Sequence, residues 1–236
     1  MELRIENLTQ RYRGVTALKD VRTQLRGGDT CLLLGPNGSG KTTLMKMIAG
    51  LTRPTSGTLR FEGEPVGVKT KSRIAYMPTE NYFYNYMSVR DAGKYYADFF
   101  ADFDLSAYEA RIDRAELDPR AFIRTLSSGM SAKLRLSLIL SRDAQVMMFD
   151  EPINGVDMLT RDWVLDEIAA RRSPDRILLI STHLVEQAER LANYALFLRR
   201  GELVREGAMD ALCRQSSLED LYREVYGSRR EEEASC

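Results

Sequence analysis

Apolar and polar side chains follow two patterns along the chain that predict strands. Residues 3–8 alternate apolar and polar positions, and residues 15–25 do so more loosely, which is typical of strands with one exposed face. Residues 31–34, 146–149 and 177–180 are instead apolar without interruption, which indicates strands buried on both faces of a sheet. The chain is therefore expected to contain one half-exposed and one buried set of strands.

Helical patterns follow these strands and dominate one long insert. A helix is predicted at residues 44–50, directly after the first buried strand. Residues 87–145 contain no segment with the pattern of a strand, and Ser88 begins a capping-box-like sequence that predicts a helix up to Phe100. The last part of the chain, about residues 208–236, is expected to be helical and polar.

The residues that join the first buried strand to its helix carry the strongest chemical signal. They fit the pattern Gly-x4-Gly-Lys-Ser/Thr, in which backbone N–H groups point at a phosphate and the helix N-terminus adds partial positive charge. Lys41 is expected to reach the β- and γ-phosphates of a nucleoside triphosphate, and the Thr42 hydroxyl to bind Mg²⁺. The loop consists of Gly35, Pro36, Asn37, Gly38, Ser39, Gly40, Lys41, Thr42 and Thr43.

Acidic residues and the single histidine of the chain stand where the other two buried strands end. Beside a phosphate loop, Asp150 is expected to hold Mg²⁺, directly or through water. Glu151 is then free to polarise a water for in-line attack, and His183 is within reach of a γ-phosphate. The buried strands, their following helices and these strand ends indicate the α/β fold class.

Two groups of aromatic side chains each have two interpretations. Tyr12 lies between the first two predicted strands, where it could stack on a purine or pack against the strand edge. Tyr82, Phe83, Tyr84 and Tyr86 follow another predicted strand. Because small or branched aliphatic residues do not separate them, a surface covered by a partner is favoured over local core packing.

Composition and charge exclude several classes of protein. Lys plus Arg and Asp plus Glu number 34 each among 236 residues, so no nucleic-acid partner is expected. The 3 cysteines are widely spaced and suit a reducing cytosol rather than a disulfide framework or a zinc site. The first residues are charged, so a signal peptide is not expected, and the apolar runs are far shorter than the ~20 residues that span a bilayer.

The motifs taken in order resemble the nucleotide-binding subunit of an ATP-binding cassette (ABC) transporter over roughly residues 1–207. The set comprises the phosphate loop, Leu-Ser-Ser-Gly-Met at 126–130, the acidic strand end at 150–151, Asn-Gly-Val-Asp at 154–157 and Ser-Thr-His at 181–183. The resemblance implies that residues 1–236 form one nucleotide-binding domain that binds ATP and Mg²⁺. The fold that the resemblance implies is an α/β P-loop NTPase core of the RecA-like type, with an antiparallel β subdomain and an inserted α-helical subdomain. The insert at about 87–145 would be this helical signature subdomain.

The resemblance also assigns roles by position. Tyr12 matches the aromatic residue that stacks on adenine, and the phosphate loop matches the Walker A motif. Asp150 matches the Walker B carboxylate, Glu151 the catalytic base and His183 the switch histidine. Together with Lys41, the last two make up the expected catalytic set.

A second nucleotide-binding subunit is implied as well. Ser127 and Gly129 match signature residues that contact the γ-phosphate of ATP held by the other subunit, and Asp157 matches the loop that communicates across that dimer. Two subunits would then face head to tail around two ATP molecules. Taken alone, Ser127 would be an ordinary helix N-cap.

One departure from the family pattern concerns coupling to a permease. The glutamine expected after residues 73–78 is replaced by Thr79, which is followed by Glu80. Because that glutamine normally links Mg²⁺ to the permease contact, turnover is expected to respond weakly to the permease. Glu80 is expected to point toward the permease side.

The implied function is that of an ATPase subunit that powers transport through a separate membrane-spanning permease, at the cytoplasmic face of the plasma (inner) membrane. The alternative is a soluble ABC ATPase of non-transport type, acting in DNA repair, translation or cofactor assembly. Translation types usually carry two cassettes and repair types a long coiled-coil insert, and neither fits 236 residues. A GTPase or small-molecule kinase would require an Asn-Lys-x-Asp motif or an acceptor site, and the sequence has neither.

Overall fold

Two β-sheets and a group of inserted helices form the computed structural model, which describes residues 1–80, 82–84 and 86–227. In chain order the strands are β1 (Glu2–Tyr12), β2 (Val15–Arg26), β3 (Thr30–Leu34), β4 (Ser56–Phe61), β5 (Glu64–Pro65), β6 (Ile74–Met77), β7 (Val146–Asp150), β8 (Ile177–Thr182), β9 (Tyr194–Arg199) and β10 (Glu202–Ala208). The α-helices are α1 (Lys41–Ile48), α2 (Val68–Lys71), α3 (Val89–Phe99), α4 (Leu105–Arg114), α5 (Ser128–Leu140), α6 (Met158–Ala169), α7 (Val185–Glu189), α8 (Met209–Leu212) and α9 (Leu218–Gly227).

The larger sheet has six strands in the order β10-β9-β3-β8-β7-β6, and all are parallel except β10. Every residue of β3, β7 and β8 is buried, as the uninterrupted apolar runs predict. The register places Leu34 beside Thr182 and Asp150 beside Ser181. Because these strands are parallel, the phosphate loop and the residues that follow β7 and β8 emerge at the same edge of the sheet.

The smaller sheet is antiparallel and has the strand order β2-β1-β4-β5. Leu3, Ile5 and Leu8 of β1 are buried and share one core with Leu33 of β3 and Leu44 of α1. The predicted antiparallel subdomain is therefore confirmed. Its two long strands extend beyond the alternating residues that predict them.

The insert between β6 and β7 contains α3, α4 and α5. Ser88 caps α3 as predicted: its hydroxyl accepts from the N–H of Asp91 at 3.1 Å, and the Asp91 carboxylate accepts from the N–H of Ser88 at 3.0 Å. Strand-like pairing in the insert is limited to single bridges, of Ser88 with Phe122 and of Phe103 with Arg142, among the residues described there. The predicted helical insert is therefore confirmed.

Arg142 joins the insert to the larger sheet. It is 3% exposed, pairs with the carboxylate of Asp102 at 3.0 Å and donates to the carbonyl oxygens of Ser72 and Ile74 at 2.8 and 3.2 Å. Its guanidinium carbon also lies 3.9 Å from the centroid of the Phe100 ring. Because all three nitrogens of its planar guanidinium donate hydrogen bonds, Arg142 fixes the base of the insert against β6.

The C-terminal part of the chain begins with a hairpin of β9 and β10. Its turn contains Arg200 and Gly201, with φ of +52° and +82°. The helices α8 and α9 follow, and α9 packs against α7 and β9. These helices confirm the helical prediction as far as Gly227, whereas residues 228–236 of the predicted tail lie outside the described residues.

Within residues 1–80, 82–84 and 86–227, no helix combines the length and the apolar character needed to cross a bilayer.

Candidate active site

The phosphate loop bends at two glycines. Gly38 and Gly40 have φ of +78° and +110°, a region that other residues rarely adopt. A Cβ atom on Gly40 would lie 2.7 Å from the carbonyl oxygen of Ala17 and 2.8 Å from a methyl carbon of Leu18. The loop is therefore seated directly on β2, and α1 begins at Lys41 immediately after it.

Lys41 lies along the inside of the loop and is 7% exposed. Its Nζ donates to the carbonyl oxygens of Gly35 and Pro36, at 2.7 and 3.4 Å. The same Nζ lies 3.3 Å from Oε1 of Glu151. The amino group therefore stands between the loop and the acidic end of β7.

Asp150, the last residue of β7, is fully buried and is held by hydroxyl groups. Thr42 and Tyr76 donate to its Oδ2 at 2.8 and 3.1 Å, and Ser181 donates to its Oδ1 at 2.5 Å. Burial, and then the negative charge of Asp150, raise the pKa of Tyr76, so the phenol keeps the proton that it donates. The carboxylate is thereby fixed in orientation at the foot of the phosphate loop.

Glu151 adopts a left-handed backbone conformation, with φ of +50°. Its N–H lies 3.0 Å from the hydroxyl oxygen and 3.1 Å from the carbonyl oxygen of Ser181, both of which accept from it. Its carboxylate, 10% exposed, lies between Nζ of Lys41 at 3.3 Å and Nδ1 of His183 at 3.0 Å. The predicted base and the predicted switch histidine are therefore in direct contact.

A cleft of about 540 Å³ opens beside Lys41, Thr42 and Glu151. Its lining includes residues 37–43 of the loop, Val15 of β2, Glu151 and Arg200 of the β9–β10 turn. Tyr12, at the end of β1, is 44% exposed and lies outside this lining. The structure thus brings together the loop, the acidic strand end and the β9–β10 turn, whose place in this cleft was not predicted from the sequence.

Three predicted residues form a second group, at the adjoining N-termini of α5 and α6. Ser127 caps α5 by accepting from the N–H of Met130 at 3.2 Å. Asp157 caps α6 by accepting from the N–H and the hydroxyl of Thr160 at 3.0 and 2.7 Å, and these bonds lower the pKa of Asp157. A Cβ atom on Gly129 would lie 3.0 Å from the Thr160 hydroxyl oxygen, so the two helix ends touch.

The loop after β6 is tied to β7 and to the insert. The hydroxyl of Thr79 donates to the main-chain oxygen of Asp150 at 3.1 Å. Arg135 of α5 donates to the carbonyl oxygens of Pro78, at 2.9 Å, and of Thr79. Glu80 is exposed and lines a neighbouring groove. Thr79, which stands at the position of the expected glutamine, thus fixes the backbone at the end of β7.

Three tyrosines after β6 form an exposed aromatic patch. Tyr82, Tyr84 and Tyr86 are 41%, 56% and 69% exposed, and the rings of the last two stack with centroids 5.4 Å apart. The predicted exposure is confirmed for these three, and a partner that covers them stays a prediction. The predicted exposure is wrong for Phe83, which packs against the core of the insert near Tyr96.

Comparison with known proteins connects this geometry to a family. Residues 18–154, more than half of the chain, match the family model described as ABC transporter. The chain belongs to the ABC transporter family. The ABC transporter ATP-binding protein YtrB of Bacillus subtilis (strain 168) is 32% identical in an alignment of 216 positions that covers 89% of this chain and 73% of that relative. The Nod factor export ATP-binding protein I of Burkholderia orbicola (strain AU 1054) is 31% identical over 232 residues, covering 94% and 75%.

Solved structures agree with the fold of this ABC ATPase. The ATP-binding subunit of an ABC transporter superimposes with a TM-score of 0.85, at 26% identity, over 95% of this chain and 99% of that chain. A dimeric bacterial ABC transporter cassette superimposes with a TM-score of 0.79 over 87% and 98%, and at 19% identity this likeness concerns the fold alone. The predicted α/β fold class is confirmed, and the protein is an ATPase of the ABC transporter family.

Two residues that hold the acidic strand end of this ABC ATPase, Ser181 and Tyr76, have contacts with Asp150 that the sequence motifs did not predict. Ser181 is the register partner of Asp150 in the adjacent strand, so aligning the two strand ends could have indicated it. Tyr76 lies on β6, and no local pattern signals that its phenol reaches Asp150.

Proposed function

We propose that this ABC ATPase powers transport through a separate membrane-spanning permease, as one of two nucleotide-binding subunits in the complex. The observation that carries the mechanism is the Glu151 carboxylate, held between Nζ of Lys41 and Nδ1 of His183 beside the phosphate loop. The names of the relatives, an ABC transporter ATP-binding protein and a Nod factor export ATP-binding protein, support the transport role. The permease selects the cargo.

Each site residue has a role in ATP hydrolysis under this proposal. The backbone N–H groups of the loop and the amino group of Lys41 bind the β- and γ-phosphates. The ring of Tyr12, exposed at the end of β1, stacks on adenine. Glu151 accepts the proton of the attacking water, while His183 orients the Glu151 carboxylate and contacts the γ-phosphate.

Thr42 and Asp150 are the residues that would hold Mg²⁺. Their side-chain oxygens lie 2.8 Å apart at the foot of the loop, and hydroxyl and carboxylate oxygens are ligands that this ion prefers. Held by these two residues, the ion would supply positive charge that offsets the negative charge of the phosphates. Tyr76 and Ser181 donate to the Asp150 carboxylate and so keep its oxygens in place.

A head-to-tail dimer accounts for the second group of residues. Ser127, Gly129 and Asp157 lie together at two helix ends outside the cleft of their own subunit, so they are available to the ATP of another subunit. Beside them, Met158 and Leu159 are 73% and 81% exposed, an apolar surface that a partner would cover. The partner is a second copy of this chain or a homologous subunit.

The aromatic patch is the surface that we assign to the permease. A groove of about 480 Å³ runs from Asp150 and Thr79 to Tyr82, and it links the metal-holding end of β7 with the patch. Docking there would hold the subunit at the cytoplasmic face of the plasma (inner) membrane. Exposed aromatic residues suit such an interface, since they bury a large area at low entropic cost.

Replacing Glu151→Gln tests the mechanism. We expect ATP binding, measured by calorimetry, to be retained, while phosphate release falls by about 10²–10⁴-fold, the usual contribution of a positioned proton acceptor. The variant should also accumulate as an ATP-bound dimer on gel filtration. Glu109→Gln makes the same change at an exposed position of α4 and should keep wild-type turnover. Hydrolysis within a few-fold of wild type in the Glu151 variant would contradict the role of Glu151.

A further inference from the structure

The C-terminal helix α9 reaches the sheet edge at which the phosphate loop begins. The Oη atom of Tyr226 lies 3.0 Å from the carbonyl oxygen of Leu34 and 3.1 Å from that of Leu198, and the two oxygens share its single hydroxyl hydrogen in a bifurcated hydrogen bond. Leu34 is the last residue of β3, and Leu198 is next to the last residue of β9. A single phenol therefore bridges the carboxyl ends of two neighbouring parallel strands.

The carbonyl groups of Leu34 and Leu198 both lie next to Gly35, the first residue of the phosphate loop. Leu34 precedes Gly35, whose own carbonyl oxygen accepts from Nζ of Lys41 at 2.7 Å. A Cβ atom on Gly35 would lie 2.4 Å from the Leu198 carbonyl oxygen, so the first peptide of the loop is fitted against that group. A shift of either strand end would therefore move the peptide that holds the Lys41 amino group.

Aromatic packing holds the Tyr226 phenol in place. Its ring stacks on Phe197 of β9 with centroids 6.4 Å apart, and it contacts Tyr222 with centroids 4.5 Å apart. Burial raises the pKa of Tyr226, so its hydroxyl remains a proton donor. Burial, and then the negative charge of Glu151, raise the pKa of Tyr222. The face of α9 that carries Tyr226 thus adjoins the start of the phosphate loop.

We propose that Tyr226 is a positioning residue for the phosphate loop. Its hydroxyl ties the ends of β3 and β9 together and so fixes the Gly35 carbonyl group that orients Lys41. This inference rests on the proposed role of the loop and of Lys41 in binding the phosphates of ATP. It makes the C-terminal helix a part of the nucleotide site, although α9 supplies no group that touches the nucleotide.

Tyr226→Phe tests this role, because it keeps the ring and removes the hydroxyl. The KM for ATP is expected to rise about 3- to 10-fold, the range that one lost hydrogen bond produces, with kcat within about twofold of wild type. Tyr108→Phe is the matched control, since its hydroxyl also donates to a main-chain oxygen, that of Val89 at 2.6 Å, but within the insert. The control should lose comparable thermal stability and keep its KM.

Amide hydrogen exchange provides a second measurement that needs no turnover. Residues 35–41 should exchange faster in Tyr226→Phe and at the wild-type rate in Tyr108→Phe. An unchanged KM together with unchanged exchange in these residues would overturn the proposal and leave Tyr226 as an anchor of α9 alone. Failure of the proposed function has a different signature: Lys41→Ala would then bind ATP as tightly as wild type.

Discussion

The hydroxyl group of Ser181 forms hydrogen bonds with two neighbouring acidic residues. It donates to Oδ1 of Asp150 at 2.5 Å and accepts from the N–H of Glu151 at 3.0 Å. Glu151 depends on that support, because a φ of +50° is unfavourable for a residue with a side chain. One buried hydroxyl therefore fixes both the carboxylate assigned to the metal and the backbone of the base.

Ser181→Ala should therefore affect both stability and turnover. We expect the free energy of unfolding to fall by about 1–3 kcal/mol, because a buried carboxylate oxygen loses its donor. Turnover should fall by about 10- to 100-fold, because the base is no longer held in position. Urea denaturation and a phosphate-release assay measure the two effects.

Ser137→Ala is the matched control for this change. Ser137 is also fully buried, but among the described residues its hydroxyl has no hydrogen-bond partner. Removing that hydroxyl should leave stability and turnover nearly unchanged. Equal losses in the two variants would show that burial of a serine, and not the bonds to Asp150 and Glu151, determines the effect.

The phosphate loop could be predicted residue by residue, because its pattern is contiguous in the chain. From the sequence, Glu151 and His183 could be placed only at the ends of two buried strands. Their contact could not be predicted, because it depends on the register of β7 and β8. Tyr76 could not be predicted, because its role requires β6 to be the neighbour of β7. The stacking role of Tyr12 stays a prediction.

At the scale of elements, the segment between β6 and α3 has an outer and an inner side. The exposed side carries the aromatic patch, while Phe83 turns inward and its ring centroid lies 6.3 Å from that of Tyr96. A run of aromatic residues predicts that a surface exists here. It cannot predict which ring turns inward, because that depends on where α3 packs.

Replacing Tyr84→Ser together with Tyr86→Ser tests the patch. Basal ATPase activity should remain near that of wild type, while recovery of the subunit with permease-containing membranes falls about tenfold or more, as is usual for aromatic anchors of an interface. Tyr95→Ser together with Phe99→Ser is the control, because these two are also an exposed aromatic pair, with centroids 4.6 Å apart on α3. Loss of folding in the first double variant would mean that the patch is part of the core.

At the scale of the whole molecule, the two groups of site residues in one subunit would contribute to two different composite sites of the proposed dimer. Ser127→Arg should abolish turnover without weakening ATP binding to the isolated subunit, and Lys41→Ala should abolish binding. In a mixture of the two variants, each heterodimer has one composite site with both residues intact, so activity should return. If no mixing ratio recovers phosphate release, the head-to-tail arrangement is wrong.

The fold class was predictable because one-sided and two-sided burial leave local patterns in the sequence. The strand order of the larger sheet was not, since β3 pairs with β8 and β9, which lie far along the chain. The same holds for α9, whose contact with Leu34 joins residues 192 positions apart. Periodicity predicts the apolar face of a helix but not the surface that it meets.

The helix α5 connects the site residue Ser127 with the buried Arg142 at the base of the insert. With 13 residues, α5 is about 20 Å long, and it carries Ser127 at its outer tip and the buried Arg142 just beyond its foot. Arg135, roughly midway along the chain between Ser127 and Arg142, donates to the carbonyl oxygen of Thr79. If α5 pivoted about Arg142, a tilt of about 10° would displace Ser127 by about 3.5 Å, more than the length of a hydrogen bond, and would move the part of the helix that holds Thr79 by about half as much.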